Sequence, residues 1–338
     1  MIVTVDSRTD ADEVRRDLMG RGLWVKTFFD LGPAGRVHFL VEPGSSTVSA
    51  AELLAVPGVI AVAAQDSPHP LVDAQPAVVD VGGIRIGGAP DADPVIMAGP
   101  CSVESREQIH TIAAALQPIG VRFLRGAAYK SRTSPYAFQG HGAQALDWLR
   151  EAADENGMSV VTEALNEAQL ERVAEIADLL QIGSRNMHNT PLLRAAGATR
   201  KPVLLKRGMA ATVEEWLQAG EYCLLHGASA VVFCERGLRG FDPSTRNNLD
   251  LGAAALLARV HRLPVIVDPS HATGRRDLIP ALCRAALASG ASGVMLETHH
   301  DPARALSDGP QAVPVGEMAA IVAEIHRLSG RSSCFAHP

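Results

Sequence analysis

The chain has 338 residues, of which 47% are hydrophobic and 20% charged, and its formal net charge at pH 7 is -6. This length suits one large α/β domain and one small domain, and the negative charge argues against nonspecific nucleic-acid binding. No apolar run reaches the roughly 18 residues of a membrane span, and no basic region followed by an apolar core opens the chain. Scattered cysteines predict reduced thiols in a cytoplasmic protein: Cys101, Cys223, Cys234, Cys283 and Cys334.

Residues 1–65 predict a small α+β domain. Apolar alternation and helical periodicity indicate strands at 1–5, 23–29, 36–41 and 59–64, with helices at 11–19 and 49–55. This βαββαβ order is that of a ferredoxin-like sandwich. Few of its side chains suit chemistry, so the domain is either a stabilising or oligomerising appendage or a regulatory module.

Residues 66–94, rich in Pro and Asp, predict a linker. Within it, apolar runs at 78–81 and 84–86 flank Gly82-Gly83 and predict a β-hairpin. We expect this hairpin to close the bottom of the domain that follows.

Residues 95–331 predict a (β/α)8 TIM barrel, and residues 332–338 a frayed tail. About eight apolar strand segments alternate with amphipathic helical segments, which favours a closed parallel barrel over an open doubly wound sheet. A GHGAQA segment at 140–145 approaches a dinucleotide-binding motif. Because no convincing strand precedes it, we do not interpret it so.

Charged and metal-binding side chains follow the predicted strands. The apolar run 265–267, for example, stops at Asp268 and is soon followed by His271. In (β/α)8 barrels the active site is built from residues at the carboxyl ends of the strands. The repeated pattern therefore predicts an enzyme, with candidates Cys101, Arg125, Lys130, Glu163, Arg185, Lys206, Glu235, Arg236, Asp268, His271 and Glu297.

Two subsets suggest a chemistry. A mixture of thiolate, imidazole and carboxylate suits Mn, Fe, Co or Zn better than Mg, and the candidate ligands are Cys101, His271, Glu297 and Asp308. A single cysteine after a strand is, alternatively, a small buried side chain. Cations that match phosphate and carboxylate groups form the second subset: Arg125, Lys130, Arg132, Arg185, Lys206 and Arg236. Their number exceeds what neighbouring acids need, which predicts small phosphorylated substrates beside a divalent metal.

Several motifs resemble those of 3-deoxy-D-arabino-heptulosonate 7-phosphate (DAHP) synthases. They are AGPCSVE (98–104), LRGAAYKSRTSPYAFQG (124–140), QIGSRNM (181–187), LLKRGM (204–209), CERG (234–237), DPSH (268–271) and ALSDG (305–309). The likeness covers essentially the whole chain. The small N-terminal domain resembles the regulatory module of the type Iβ branch.

The resemblance implies a metal-dependent, aldol-like condensation of phosphoenolpyruvate with erythrose 4-phosphate, the first step of the shikimate pathway. It implies that Mn, or else Fe, Co or Zn, binds Cys101, His271, Glu297 and Asp308. The residues that match the phosphoenolpyruvate contacts are Arg125, Lys130, Arg185, Lys206 and Arg236. Those that match the erythrose 4-phosphate loop are Arg132, Thr133 and Ser134. The expected catalytic residues are Lys206, Glu163, Asp268 and His271.

The resemblance also implies a homotetramer and an aromatic amino acid effector, Tyr or Phe, bound by the N-terminal domain. Phe28, Phe29 and His38 are candidates to line that effector site, although core packing is the favoured role of the two phenylalanines. We expect His299, His300 and His326 to face solvent and assign them no role.

Ser131 departs from the family pattern, which normally has proline there, and it leaves the acceptor sugar open. The alternatives are 3-deoxy-octulosonate 8-phosphate synthase and a specialised-metabolism paralogue with another aldehyde acceptor. The Arg132-Thr133-Ser134 loop favours DAHP synthase, because the octulosonate enzymes carry an Asn-Arg-Ser-type loop. A non-enzymatic barrel is the third alternative, and the persistence of all four candidate metal ligands argues against it.

Overall fold

The structure, a computed structural model, describes residues 1–29, 36–42, 44–63, 67–89, 92–131 and 134–328. The chain divides into two compact units, Met1–Pro68 and His69–Pro338. Within the described ranges, no helix has the length and apolar character needed to cross a membrane.

The first unit is a four-stranded antiparallel sheet with two helices. Its elements are β1 (Ile2–Val5), α1 (Ala11–Gly20), β2 (Val25–Phe29), β3 (Val37–Val41), α2 (Ala50–Leu54) and β4 (Val59–Ala63). The strands lie side by side in the order β2-β3-β1-β4. Side chains of Asp10 and Ser49 cap the two helices. Val3, Phe39 and Leu18 lie in the apolar core of this unit.

The core role favoured for Phe28 and Phe29 is wrong. Both lie on β2, which is an edge strand, and their exposed fractions are 40% and 65%. Phe28 instead stacks on His38 of β3, with ring centroids 5.1 Å apart. An edge strand packs against one neighbour only, so its aromatic side chains need not enter the core.

The second unit begins with α3 (Pro70–Ala74) and a hairpin of β5 (Val78–Val81) and β6 (Ile84–Gly87). Gly82 and Gly83 form the turn with positive φ angles of 59° and 77°, the conformation that a two-residue hairpin loop requires. Val81 and Ile86 of the hairpin are buried with Phe123 from the interior of the barrel. The predicted hairpin is therefore confirmed, and it covers the amino-terminal end of the barrel strands.

Eight parallel strands close into a barrel, as predicted. They are β7 (Val95–Gly99), β8 (Phe123–Arg125), β9 (Ser159–Glu163), β10 (Leu179–Ile182), β11 (Val203–Lys206), β12 (Val231–Glu235), β13 (Val265–Val267) and β14 (Gly293–His299). Each strand pairs with the next along the chain, and β14 pairs with β7 to complete the circle. A short strand, β15 (Val313–Pro314), extends the end of β14.

Helices surround the barrel because each buries one apolar face against the strands. They are α4 (Arg106–Leu116), α5 (Ala143–Glu155), α6 (Glu167–Ile176), α7 (Thr190–Ala198), α8 (Val213–Leu225), α9 (Leu251–Ala255), α10 (Pro269–Thr273), α11 (Ile279–Ser289) and α12 (Val315–Leu328). Ile109, Leu146 and Trp216 of these helices pack in one outer core with strand residues such as Ile96 and Leu205.

We predict that Gly293→Ala destabilises the barrel by about 1–3 kcal/mol, because an added methyl group overpacks the strand pairing. A Cβ atom on Gly293 would lie 2.0 Å from the carbonyl oxygen of Val95 on the neighbouring strand. Gly316→Ala, on α12, is the matched control, since nothing lies within 4 Å of its Cβ position. Urea denaturation of both variants checks this, and equal stability of the two would contradict the predicted backbone clash.

Candidate active site

The alternation of side chains along each strand decides which residues point into the barrel. Leu204 of β11 lies in the inner apolar cluster, so Lys206, two positions later, points to the same interior. The same two-residue step from Ile266 places Asp268 inward. Equivalent positions at the other strand ends are occupied by Arg125, Glu163, Gln181, Arg236 and Glu297.

Arg207 and Glu235 each lie next in the chain to an inward-pointing residue, so their side chains point away from the barrel interior. There they form an ion pair with each other. Both are buried, and Arg207 Nη1 donates to Glu235 Oε2 at 3.1 Å and to Asp250 Oδ2 at 2.8 Å. Glu235 Oε1 accepts from the Gly237 backbone N–H at 2.6 Å. Burial raises the pKa of Glu235, against the lowering effect of that hydrogen bond and of the Arg207 charge. The pair joins the ends of β11 and β12, so Glu235 supports this edge rather than lining the interior.

The four predicted metal ligands meet at one place. One ligand atom from each of Cys101, His271, Glu297 and Asp308 lies within 4.8 Å of all the others. Cys101 Sγ is 3.1 Å from Asp308 Oδ2, and His271 Nε2 is 3.0 Å from Glu297 Oε1. Thiolate, imidazole and carboxylate groups at this spacing fit a divalent transition metal ion.

Glu297 is held by three neighbours. Arg125 Nη1 donates to Oε1 at 2.9 Å, Gln311 Nε2 donates to Oε2, and Ser270 Oγ accepts from the Glu297 backbone N–H at 3.0 Å. Burial opposes ionisation, but His271 and Arg125 hold the pKa of Glu297 well below its usual value. The carboxylate is therefore ionised and its orientation is fixed.

Asp268 links Lys206 to His271. Its fully buried Oδ2 is 2.5 Å from Lys206 Nζ and 2.6 Å from His271 Nδ1, and its Oδ1 accepts from the His271 backbone N–H at 2.9 Å. Burial opposes the charge of Asp268, yet His271 and Lys206 lower its pKa. Burial alone would lower the pKa of His271, but Asp268 and Glu297 raise it to about 9. Because Nδ1 binds Asp268, the other ring nitrogen, Nε2, is directed toward Glu297 and the remaining candidate ligands.

A cationic cavity of about 320 Å³ lies beside this cluster. Lys130 lines the cavity and also donates from Nζ to Cys101 Sγ at 3.0 Å, so it contacts both regions. Two acidic side chains, Glu163 and Asp308, line the same cavity. They are outnumbered by cations, which gives the cavity the charge to hold small anions. The basic lining residues are Arg125, Lys130, Arg185, Lys206, Arg236 and Arg246.

The remaining predicted residues are placed as follows. Ser134 and Ser131 line the cavity, and Glu163 Oε2 accepts from Gln181 Nε2 at 2.9 Å. Arg132 and Thr133 lie outside the described residues.

Arg246 and Gln311 were missed by the sequence analysis. Arg246 Nη1 lies 3.6 Å from Asp308 Oδ1 and donates to Gln311 Oε1 at 3.1 Å. Neither residue follows a barrel strand directly, so the strand-end pattern carries no signal for them.

The prediction that His299 faces solvent is wrong, whereas His300 is exposed as expected. Only 3% of His299 is exposed, because β14 continues to this residue and β15 pairs beside it through Pro314. His299 Nδ1 accepts from the Asp301 backbone N–H at 2.9 Å.

The fold and the site together define a (β/α)8-barrel enzyme built to hold small anions beside a cluster suited to a divalent metal. The chain belongs to the DAHP synthetase I family, whose sequence model matches residues 67–329.

Individual relatives are consistent with this family. The phospho-2-dehydro-3-deoxyheptonate aldolase of Thermotoga maritima is 50% identical over 252 residues, which are 75% of this chain and 74% of that protein. A 2-dehydro-3-deoxyphosphooctonate aldolase of Bradyrhizobium is 35% identical over 266 residues, 73% of this chain and 91% of that protein.

Solved structures resemble the chain as well. A crystal structure of the Thermotoga maritima phospho-2-dehydro-3-deoxyheptonate aldolase (DAHP synthase) has a TM-score of 0.76 and 40% identity, and the match covers 97% of each chain. A truncated form of the DAHP synthase from the same organism has a TM-score of 0.69 and 46% identity. That match covers 75% of this chain and 92% of the other.

Proposed function

We propose that the chain condenses phosphoenolpyruvate with D-erythrose 4-phosphate, releasing DAHP and inorganic phosphate. The observation that carries this proposal is the adjacency of the cationic cavity to the cluster of Cys101, His271, Glu297 and Asp308. Both substrates are phosphorylated anions, and one of them presents an aldehyde that must be activated. Membership of the DAHP synthetase I family supports the same reaction.

The cavity cations would bind and orient phosphoenolpyruvate. Guanidinium groups pair with phosphate and carboxylate through parallel hydrogen bonds, and a lysine adds a compact charge. Several of these cations are held by buried neighbours, so the site needs little rearrangement to receive an anion. The residues proposed for this role are Arg125, Lys130, Arg185, Lys206 and Arg236.

The acceptor would bind at the loop that includes Ser134, with Arg132 and Thr133 as further proposed contacts. A divalent metal held by Cys101, His271, Glu297 and Asp308, for which Mn is our proposal over Fe, Co and Zn, would act as a Lewis acid on the aldehyde oxygen. C3 of phosphoenolpyruvate attacks the aldehyde carbon while positive charge develops at C2. Water then adds at C2, and the resulting tetrahedral intermediate expels phosphate.

Lys206 and Glu163 are our candidates to move protons at the attacking water. Both line the cavity, and the hydrogen bond between Lys206 Nζ and Asp268 Oδ2 holds the ammonium group in place. Asp268 and His271 complete the proposed catalytic set, because Asp268 orients both of its partners.

The reaction is tested by measuring phosphate release from phosphoenolpyruvate with either erythrose 4-phosphate or arabinose 5-phosphate, with added Mn²⁺ or with EDTA. We expect metal-dependent release with erythrose 4-phosphate, because the Arg132-Thr133-Ser134 loop is of the DAHP synthase type. Release only with arabinose 5-phosphate would transfer the assignment to the octulosonate reaction. Bound metal without release from either sugar would indicate another aldehyde acceptor and implicate Ser131.

Cys101→Ala should lower metal affinity by about 10-fold or more, since one of four ligands is lost. Metal-dependent phosphate release should fall with it. Cys223→Ala is the matched control, because Cys223 is a buried cysteine on the outer side of the barrel. Equilibrium dialysis with Mn²⁺ measures the affinity, and unchanged binding by Cys101→Ala would refute its role as a ligand.

We propose that the N-terminal unit is a ferredoxin-like regulatory domain over residues 1–65, joined through residues 66–94 to the barrel. The strand order β2-β3-β1-β4 with two helices supports this classification. An aromatic amino acid is the proposed effector. The solved relative that matches 97% of this chain includes a corresponding N-terminal region, whereas the truncated one covers 75%.

Deletion of residues 1–65 should leave phosphate release intact, because the proposed catalytic, substrate-binding and metal-binding residues all lie in the second unit. It should abolish inhibition by Tyr or Phe, because the proposed effector site is in the deleted domain. Steady-state rates of the full and shortened chains, each with increasing Tyr or Phe, check this. Inhibition that persists after the deletion would rule out the regulatory role.

We also propose a homotetramer and a cytoplasmic location. All four cysteines among the described residues are buried free thiols, which suits a reducing compartment. The tetramer follows from the family resemblance, and light scattering of the full chain would reveal a smaller assembly.

A further inference from the structure

We propose that a network of polar side chains, here called the loop clasp, positions Cys101 and Asp308 for metal binding. The loop clasp consists of Ser102, Glu104, His299 and Ser307. It joins the loop after β7 to the end of β14 and the loop that follows, and none of its members lines the cationic cavity. The inference rests on the proposed function, since it assigns positioning residues to the metal site proposed above.

The two serines of the loop clasp are sequence neighbours of two candidate metal ligands, and they contact each other as the ligands do. Ser102 follows Cys101 directly, and Ser307 directly precedes Asp308. Ser102 Oγ lies 2.8 Å from Ser307 Oγ, while Cys101 Sγ lies 3.1 Å from Asp308 Oδ2. Both serines are buried, so this hydrogen bond does not compete with water. The distance between the two loops is therefore set one residue away from the ligands.

Glu104, in the loop after β7, contacts both the end of β14 and the loop that follows it. Its Oε1 accepts from the Leu306 backbone N–H at 2.8 Å, and its Oε2 lies 3.4 Å from His299 Nε2. His299 Nδ1 accepts from the Asp301 backbone N–H at 2.9 Å, and its Nε2 also lies 3.0 Å from Gln108 Nε2. The loop from Asp301 to Ser307 is thus attached at its beginning and at its end.

Gln108 of α4 supports the loop after β7, to which the loop after β14 is hydrogen-bonded. Its Oε1 accepts from the Glu104 backbone N–H at 2.9 Å, and its Nε2 donates to the Ser102 carbonyl oxygen at 3.1 Å. Gln108 is buried. The loop after β7 is therefore fixed to a helix of the barrel. Through the loop clasp, this fixed loop also determines the position of Asp308.

Asp308 itself shows why such support is needed. Its φ of 52° lies in the left-handed region, which L-residues adopt at an energetic cost and keep only where the surroundings enforce it. Asp308 is also more exposed than Glu297, with 25% of its side chain accessible against none. Without the clasp, we expect Asp308 to sample other backbone conformations and to leave the ligand cluster.

The test is metal affinity in the full chain, measured with Co²⁺ by competition with a chelator. Ser307→Ala should weaken Co²⁺ binding about 10-fold, the usual effect of losing a group that orients a ligand. Ser292→Ala is the matched control: Ser292 is also buried, and its Oγ accepts from the Val265 backbone N–H at 3.2 Å at the opposite end of β14. The control should lose stability but keep its Co²⁺ affinity. Glu104→Gln, which keeps the side-chain shape, should weaken binding in the same direction.

Two further readouts separate positioning from general damage. With saturating Mn²⁺, Ser307→Ala should recover a kcat close to that of the unsubstituted chain, because the clasp touches no substrate. Ser102→Ala combined with Ser307→Ala should cost no more affinity than Ser307→Ala alone, since the two hydroxyls act as one pair.

Unchanged Co²⁺ affinity in Ser307→Ala, or an equal loss in Ser292→Ala, would overturn the clasp. The proposed function would survive that result as long as Cys101→Ala still binds Co²⁺ weakly. If Cys101→Ala bound Co²⁺ as tightly as the unsubstituted chain, the metal site itself would be wrong.

Discussion

The pairing of the last barrel strand with the first is the constraint on which the site depends. β14 and β7 are hydrogen-bonded neighbours from Gly293 and Val95 to Glu297 and Gly99. This closure places Cys101, which follows β7, beside Glu297 on β14, and the neighbouring strand β13 leads to His271. The candidate metal cluster lies where β14 pairs with β7. In an open sheet with the same strands, the four candidate ligands would be separated.

Buried ion pairs keep the interior of the barrel ready for a charged ligand. Arg125 pairs with Glu297, and Lys206 pairs with Asp268, all of them buried. Such pairs seldom add much net stability, because the cost of removing both charges from water offsets their attraction. Their presence here is better explained by preorganisation, in which charged groups are already aimed at the place where a ligand will bind. The geometry of the site is thus maintained at some expense of stability.

The strand-end pattern predicted most inward side chains correctly because a strand alternates its side chains with a period of two. Lys206 and Asp268 follow inner-cluster residues by two positions, and their apolar runs are visible in the sequence. Arg246 and Gln311 were not predicted because both lie outside the barrel strands, where no two-residue period relates a side chain to the barrel interior. The solvent-facing prediction for His299 failed because its cover, β15, comes from a later segment.

By itself, the sequence determined the order of strands and helices, the turn of the hairpin, and the types of side chain at the strand ends. These properties follow from short-range sterics and from apolar alternation, which act between residues close in the chain. Only the tertiary structure decided which charged residues meet, such as Cys101 with Asp308 and Arg125 with Glu297. Distances between residues far apart in the chain depend on barrel closure and on loop packing. Both result from many weak contacts between distant residues, and no local sequence pattern records those contacts.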